Sequence, residues 1–218
     1  MPRARRVSTS REPPGGLLLT ASTPSHPEAI RYLERRGLRN LAIIEELGNG
    51  YASGGNLRCH LVGLGYSLHS ICWLDSGLIS SQGRDAFCHR VTFPRHSQIV
   101  KLYGRSIGTA FPHRLPPRSK SGLFAWEPAS DFSRVILVEG LFDLAILWQA
   151  GFRNTTCAIG PQLTPAQLAQ LTSQPGRSVC IVFDVDDNLA GQEASHSLGP
   201  TAEKRWHPSP RRPVATRA

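Results

Sequence analysis

Val135-Ile136-Leu137-Val138-Glu139-Gly140-Leu141-Phe142-Asp143 is the stretch that decides the fold class. Its first four residues are apolar, three of them β-branched, with no polar alternation. Such a run predicts a strand covered on both faces, as in a parallel sheet. Leu141, Leu144, Ala145 and Trp148 then recur at helical spacing, and Gly151 closes the helix. The rhythm repeats downstream. Cys157-Ala158-Ile159 predicts a second short strand. Thr164-Pro165 opens a helix carrying Leu168 and Leu171, which stops at Pro175-Gly176, and Val179–Phe183 predicts a third buried strand. Strand–helix–strand–helix–strand specifies a parallel sheet with crossover helices.

Two of these strands run directly into acid, Val138 into Glu139 and Phe183 into Asp184. Open α/β sheets place ligands at the carboxyl ends of their strands, so the two acids are expected to converge. Asp143 lies one turn beyond Glu139, and Asp186 two residues beyond Asp184. Four carboxylates in one place repel. Hard divalent cations with oxygen ligands, Mg²⁺ or Mn²⁺, would neutralise them. Such ions polarise phosphate and activate an attacking hydroxyl. Taken alone, Glu139-Gly140 also fits a plain turn. An EF-hand reading of Asp184-x-Asp186-x-Asn188 fails at Leu189, where the sharp turn needs glycine.

Upstream, residues 1–24 and 196–218 are rich in Pro and Arg and are expected to be disordered basic tails. A helix is predicted over 27–36, opened by Ser25-His26-Pro27-Glu28 and stopped at Gly37. Residues 41–47 fit a helix or a strand. Glycines punctuate 48–110, with strands expected at Arg90–Phe93 and Ile99–Tyr103, a turn at 94–98, and a short helix over 66–76. Residues 111–122 read as a Pro- and Arg-rich loop. The expected organisation is a basic α+β subdomain over 25–125 and the parallel α/β domain over 134–195.

Composition narrows the class. With 218 residues and 40% hydrophobic, the chain can build one sizeable or two small cores. No apolar run approaches the ~20 residues of a membrane span, and Leu17-Leu18-Leu19 is too short for a signal-peptide core. A soluble cytoplasmic protein with no membrane partner is expected. The five cysteines include no Cys-x-x-Cys pair, which points to reduced thiols and to no zinc. The net charge of +9 is polarised. Residues 84–120 carry eight Lys/Arg against Asp85 alone, while 125–195 carry eight acids against three Arg. A polyanion surface beside a cation site fits this division, although a solvated basic face would give the same count.

The motifs also carry a resemblance. Val138-Glu139-Gly140-Leu141-Phe142-Asp143 and Phe183-Asp184-Val185-Asp186 resemble the two signature motifs of the TOPRIM domain, shared by DnaG-type primases, type IA and II topoisomerases and several nucleases. Ala190-Gly191-x-x-Ala194 and Ile159-Gly160-x-x-Leu163-Thr164 are similar to primase segments, with Pro161 a departure. So are Tyr32-Leu33-x-x-Arg36-Gly37, Asp85-x-Phe87-x-x-Arg90-x-x-Phe93-Pro94, Tyr103-Gly104-Arg105 and His113-Arg114-Leu115. The resemblance covers roughly residues 25–195.

The resemblance implies a DnaG-like primase core that makes RNA primers on single-stranded DNA from ribonucleoside triphosphates. It implies metal binding or acid–base work for Glu139, metal binding for Asp184 and Asp186, and a supporting place for Asp143. Arg90, Arg105, Arg114 and Lys120 match positions that would face phosphates. A replicative helicase or a missing protein part is an expected partner. Departures are the absence of a zinc module before residue 25, a longer spacer after Asp186, and no match for the third acidic motif. They suggest a shortened relative. The alternatives are a TOPRIM-type nuclease and a truncated, catalytically inactive nucleic-acid-binding protein. A topoisomerase is disfavoured, since no catalytic tyrosine region is present.

Overall fold

The apolar runs and glycine stops fold into two compact units in the computed structural model. It describes residues 26–55, 57–63, 65, 67, 77–80, 82–94, 102–108, 113–116, 122–183 and 202–203, with His60, Ala202 and Glu203 in backbone only. The first unit comprises 1–34 and 44–117, the second 35–43 and 118–218.

The first unit is built on an antiparallel sheet in the order β1 (Gly50–Ala52), β2 (Arg90–Pro94), β3 (Leu102–Ser106) and β4 (His113–Arg114). Helix α1 (Pro27–Arg35) starts where predicted and buries Ala29 and Leu33. Helix α2 (Leu41–Glu46) resolves the ambiguity at 41–47. Helix α3 (Leu57–Gly63) has no periodicity long enough to announce it; the Asp85 carboxylate accepts a hydrogen bond from its first N–H, Leu57 N, at 3.2 Å.

The hairpin forms, with Phe93 opposite Tyr103; its second strand runs through Leu102–Ser106, three residues past the expected end at Tyr103, while Ile99–Lys101 and the expected turn after Pro94 lie outside the described residues. Propensity undervalues Gly104 and Arg105, which pairing and packing place in the ladder. Within the expected loop 111–122, His113 and Arg114 pair with Arg105 and Gly104. The helix expected over 66–76 lies outside the described residues.

The second unit holds a parallel sheet in the order β6 (Thr155–Cys157), β5 (Arg134–Val138), β7 (Ser178–Val182) and β8 (Ala202–Glu203). Helix α5 (Leu141–Gln149) links β5 to β6, and α6 (Pro165–Thr172) links β6 to β7. A one-turn helix α4 (Trp126–Ala129) precedes β5. The second strand is Thr155–Cys157, not Cys157–Ile159. The two threonines enter the core because their hydroxyls donate to Phe152 O (2.8 Å) and Phe124 O (2.7 Å). The strand ends before Ile159, whose φ of 56° is left-handed and costly for a β-branched residue. β8 carries pairing into a stretch expected to be tail.

Leu123, Val135, Leu137, Ala158, Leu171, Val179 and Phe183 form the core of this unit. Two buried polar side chains tie its loops. Gln167 closes a capping box with Thr164, and its Nε2 donates to Ala158 O (2.7 Å) and Gly122 O (3.2 Å). Arg177 donates to Ser130 O (2.6 Å) and Gln170 O (3.2 Å), with its guanidinium 5.0 Å from the Trp126 ring centre. Among the described residues no helix is long and apolar enough to cross a membrane.

Candidate active site and nucleic-acid interface

Strands β5 and β7 lie side by side and parallel, with Val138 opposite Val182. Glu139 and Phe183 therefore leave the sheet at the same carboxyl end, and Asp184 is the next residue along the chain. Asp184 and Asp186 themselves lie outside the described residues, as does Lys120. Glu139 is half-buried and Asp143 exposed. The Glu139 backbone is fixed, since its carbonyl accepts from Gly160 N (3.1 Å) and the Cys157 thiol (3.3 Å).

Gly140 sits at the N-cap of α5 with ordinary extended angles, φ −108° and ψ 148°. Glycine leaves room there for the Asp143 side chain: a Cβ would stand 2.5 Å from Asp143 Oδ2, which would have to move aside. The Asp143 carboxylate thus folds back over the helix N-terminus, where the exposed N–H groups favour negative charge. Beneath it, Cys157 is fully buried. Desolvation, with Asp143 and Glu139 acting at a distance, pushes its thiol well above the ordinary range. Cys157 is therefore a neutral packing group. Among the described residues no three potential metal ligands stand together. The carboxylate donors at this strand end nevertheless have the hard chemistry that suits Mg²⁺ or Mn²⁺.

In the antiparallel sheet, pairing fixes which side chains share a face, because directly opposed residues point the same way. Arg90 opposes Ser106, Thr92 opposes Gly104, and Gly104 opposes Arg114. Arg90, Gly104 and Arg114 therefore share one face. A Cβ on Gly104 would meet the Phe87 ring at 2.5 Å and Arg90 Cδ at 3.0 Å. Buried Phe87 and the Arg90 stem lie across this glycine, which explains the Asp85-x-Phe87-x-x-Arg90 spacing in packing terms. Burial, and then the neighbouring Arg114 charge, pull the Arg90 pKa down. Arg90 nevertheless keeps its charge at neutral pH, as a guanidinium does. A pair of like charges around a cleared backbone position is stabilised by an anion.

Arg105 points to the opposite face, with Tyr103 and His113. Burial works against its charge, but hydrogen bonds to the Tyr32 and Tyr103 hydroxyls outweigh that cost and raise its pKa. The structure thus brings Arg90 and Arg114 together and separates Arg105 from them.

Residues 136–212 match the Toprim-like family. The DNA primase of Pseudomonas aeruginosa is 32% identical over 195 residues, covering 80% of this chain and 28% of that protein. The DNA primase of Neisseria meningitidis is 28% identical over 186 residues, covering 78% of this chain and 30% of that protein. This chain is related to the bacterial DNA primases. Among solved structures, the zinc-binding and RNA polymerase domains of Aquifex aeolicus primase superpose with a TM-score of 0.74 at 25% identity, covering 87% of this chain and 52% of that one. A DNA primase domain from Pseudomonas aeruginosa gives 0.66 at 30% identity, with 80% and 59% covered. The chain spans less than a third of the length of the curated primases it matches. The similarity to the primases takes in both units, whereas the Toprim-like match lies wholly in the second.

The residue set read from the sequence omits Arg36. In the second unit its guanidinium stands 5.0 Å from the ring centre of Phe142, the neighbour of Asp143. The segment carrying it is clamped by Gln149, which accepts from Arg39 N and Asn40 N (2.8 Å each) and donates to Gly37 O (3.0 Å). The Arg36-Gly37 pair is visible as a primase-like motif, but nothing local in the sequence links it to the first turn of α5.

Proposed function

We propose that this chain is a primase-like nucleotidyltransferase core that makes short RNA primers on single-stranded DNA in the cytoplasm. The observation that carries the reading is the similarity to DNA primases across both units, joined to Glu139-Gly140-x-x-Asp143 at the carboxyl end of a parallel strand. In the reaction, the 3′-hydroxyl oxygen of one ribonucleotide attacks the α-phosphorus of a ribonucleoside triphosphate. A phosphorus–oxygen bond forms, the bond to the β-phosphate bridge breaks, and pyrophosphate leaves. A divalent cation, Mg²⁺ or Mn²⁺, would lower the charge on the phosphates and the pKa of the attacking hydroxyl.

Glu139, Asp184 and Asp186 are the proposed catalytic carboxylates and metal ligands, with Asp143 shaping the same strand end. Glu139 is the best placed to orient a ligand or accept a proton, because its backbone is fixed by Gly160 and Cys157. Arg90 and Arg114 are proposed to take one phosphate between them. Arg105 and Lys120 are proposed to add sequence-independent backbone contacts. Single-stranded DNA and ribonucleoside triphosphates are the proposed partners, with a replicative helicase or a further primase segment in the working complex.

The test is incubation of the chain with single-stranded DNA, ribonucleoside triphosphates and Mg²⁺ or Mn²⁺, beside Glu139→Gln. Primers from the wild type and none from the variant support the reading. DNA cleavage would instead support a TOPRIM-type nuclease. Binding with no reaction under either metal would leave a nucleic-acid-binding protein without catalysis.

A further inference from the structure

We infer that Tyr103 and His113 form a base-stacking platform for the single-stranded template, on the sheet face opposite Arg90 and Arg114. This inference rests on the primase-like reading and adds a contact to bases where that reading supplies contacts to phosphates. The two rings are nearly parallel, 15° apart, with centroids separated by 6.4 Å. Tyr103 is held on two further sides. The Phe93 ring meets it edge-on with centroids 6.0 Å apart, and its hydroxyl is bonded to Arg105, which also holds Tyr32. A ring fixed in this way loses little freedom when a base stacks beside it.

His113 completes the arrangement. It stands on β4, the outermost strand of the sheet among the described residues, and is exposed. It pairs directly with Arg105. An exposed planar ring, a second, nearly parallel ring diagonally across on the same face and a guanidinium on that face are the elements by which single strands are held: stacking on the base and a cation near the backbone. The alternation of β4 adds the second contact. His113 and the adjacent Arg114 point to opposite faces of the outer strand. A single strand crossing this edge can stack a base on His113 while its phosphate reaches Arg114. Stacking accepts any base, as a template site must.

The test compares full-length wild type, His113→Ala and His113→Phe for binding to a thymine oligonucleotide and to an abasic oligonucleotide of the same length, across a salt series. The melting temperature of each variant checks folding, which an exposed edge residue should leave intact. The platform predicts that His113→Ala weakens thymine-oligonucleotide binding roughly 5- to 150-fold. It also predicts an unchanged salt slope, unchanged abasic binding, and recovery in His113→Phe. An equal loss on both oligonucleotides, a shallower salt slope, or no loss at all would overturn the platform and leave the primase-like reading standing. Failure of the wild type to bind either oligonucleotide would overturn both.

Discussion

The two sheets of this molecule solve different problems with different grammar. The parallel sheet is centred on two continuous apolar runs, Val135–Val138 and Val179–Val182, and its charged chemistry is exported to the strand ends, at Glu139 and in the loops tied by Gln167 and Arg177. The antiparallel sheet keeps its chemistry inside the strands: Arg90, Gly104, Arg105 and Arg114 are ladder residues. An acidic end-of-strand site can therefore change its carboxylates with little effect on packing. Within the basic site, the buried positions Arg90 and Gly104 cannot change without disturbing the sheet that carries them, whereas the exposed Arg114 can.

The largest expected effect sharpens the first half of that contrast. Arg177→Met would remove the guanidinium donor from the Ser130 and Phe132 carbonyls and one donor from Gln170 O, which keeps the Ser173 hydroxyl. About 3 kcal/mol of stability should be lost, because several hydrogen bonds from one charged donor go together and such bonds contribute roughly 1.5–3 kcal/mol. Denaturant titration measures it, and a loss below about 1 kcal/mol would show that water replaces the guanidinium.

The second half is broken or upheld at Gly104. Gly104→Val places side-chain atoms against the buried Phe87 ring and Arg90. Overpacking of this kind costs roughly 1–3 kcal/mol. Since Arg90 must shift with Phe87, DNA affinity should fall together with stability. Independent loss of one without the other would separate the motif's packing role from its binding role.

These sites differ in how far the sequence reveals them. Val135–Val138 and Val179–Phe183 are legible because their apolar residues run on without polar alternation, even at the exposed Val182, and the acids that end them stand out against that background. Thr155-Thr156 is not legible as a strand, because its hydroxyls are satisfied only by Phe152 and Phe124, which no local pattern brings near. In the basic unit, Gly104 reads as a strand breaker until Phe87 is seen lying over it. The face shared by Arg90 and Arg114 follows from pairing register, which strands of two to five residues do not announce. Arg36 becomes a neighbour of the site only because Gln149 clamps the segment behind it.

A smaller effect concerns pH. Burial raises the pKa of Cys157 in the folded chain, so the folded state holds its proton where the unfolded thiol, with a pKa of about 8.5, releases it. The stability this contributes is fully present below pH ~8.5 and is lost as pH rises above it, by up to about 1.4 kcal/mol per pH unit. Unfolding titrations from neutral to alkaline pH should show a steeper decline in the wild type than in Cys157→Ala. Parallel curves would mean that the thiol reaches solvent.

The smallest stability change is expected at Gly140. Gly140→Ala displaces the Asp143 carboxylate rather than backbone, so less than about 1 kcal/mol should be lost. The rise in melting temperature with added Mn²⁺, which reports metal binding to the folded state, should shrink by more than the stability does. Equal metal response in wild type and variant would place the ion away from this carboxylate.

The central claim is a division of labour, with phosphate binding in the antiparallel sheet and metal-dependent chemistry at the end of the parallel one. The salt dependence of single-stranded DNA affinity, measured side by side for Arg114→Ala and Glu139→Gln, tests it most directly. Arg114→Ala should weaken binding and flatten the log–log slope by roughly 0.7, because one phosphate is no longer neutralised by the protein. Glu139→Gln should keep the wild-type slope and affinity while making no primer. A flattened slope in Glu139→Gln, with Arg114→Ala indistinguishable from wild type, would contradict that division.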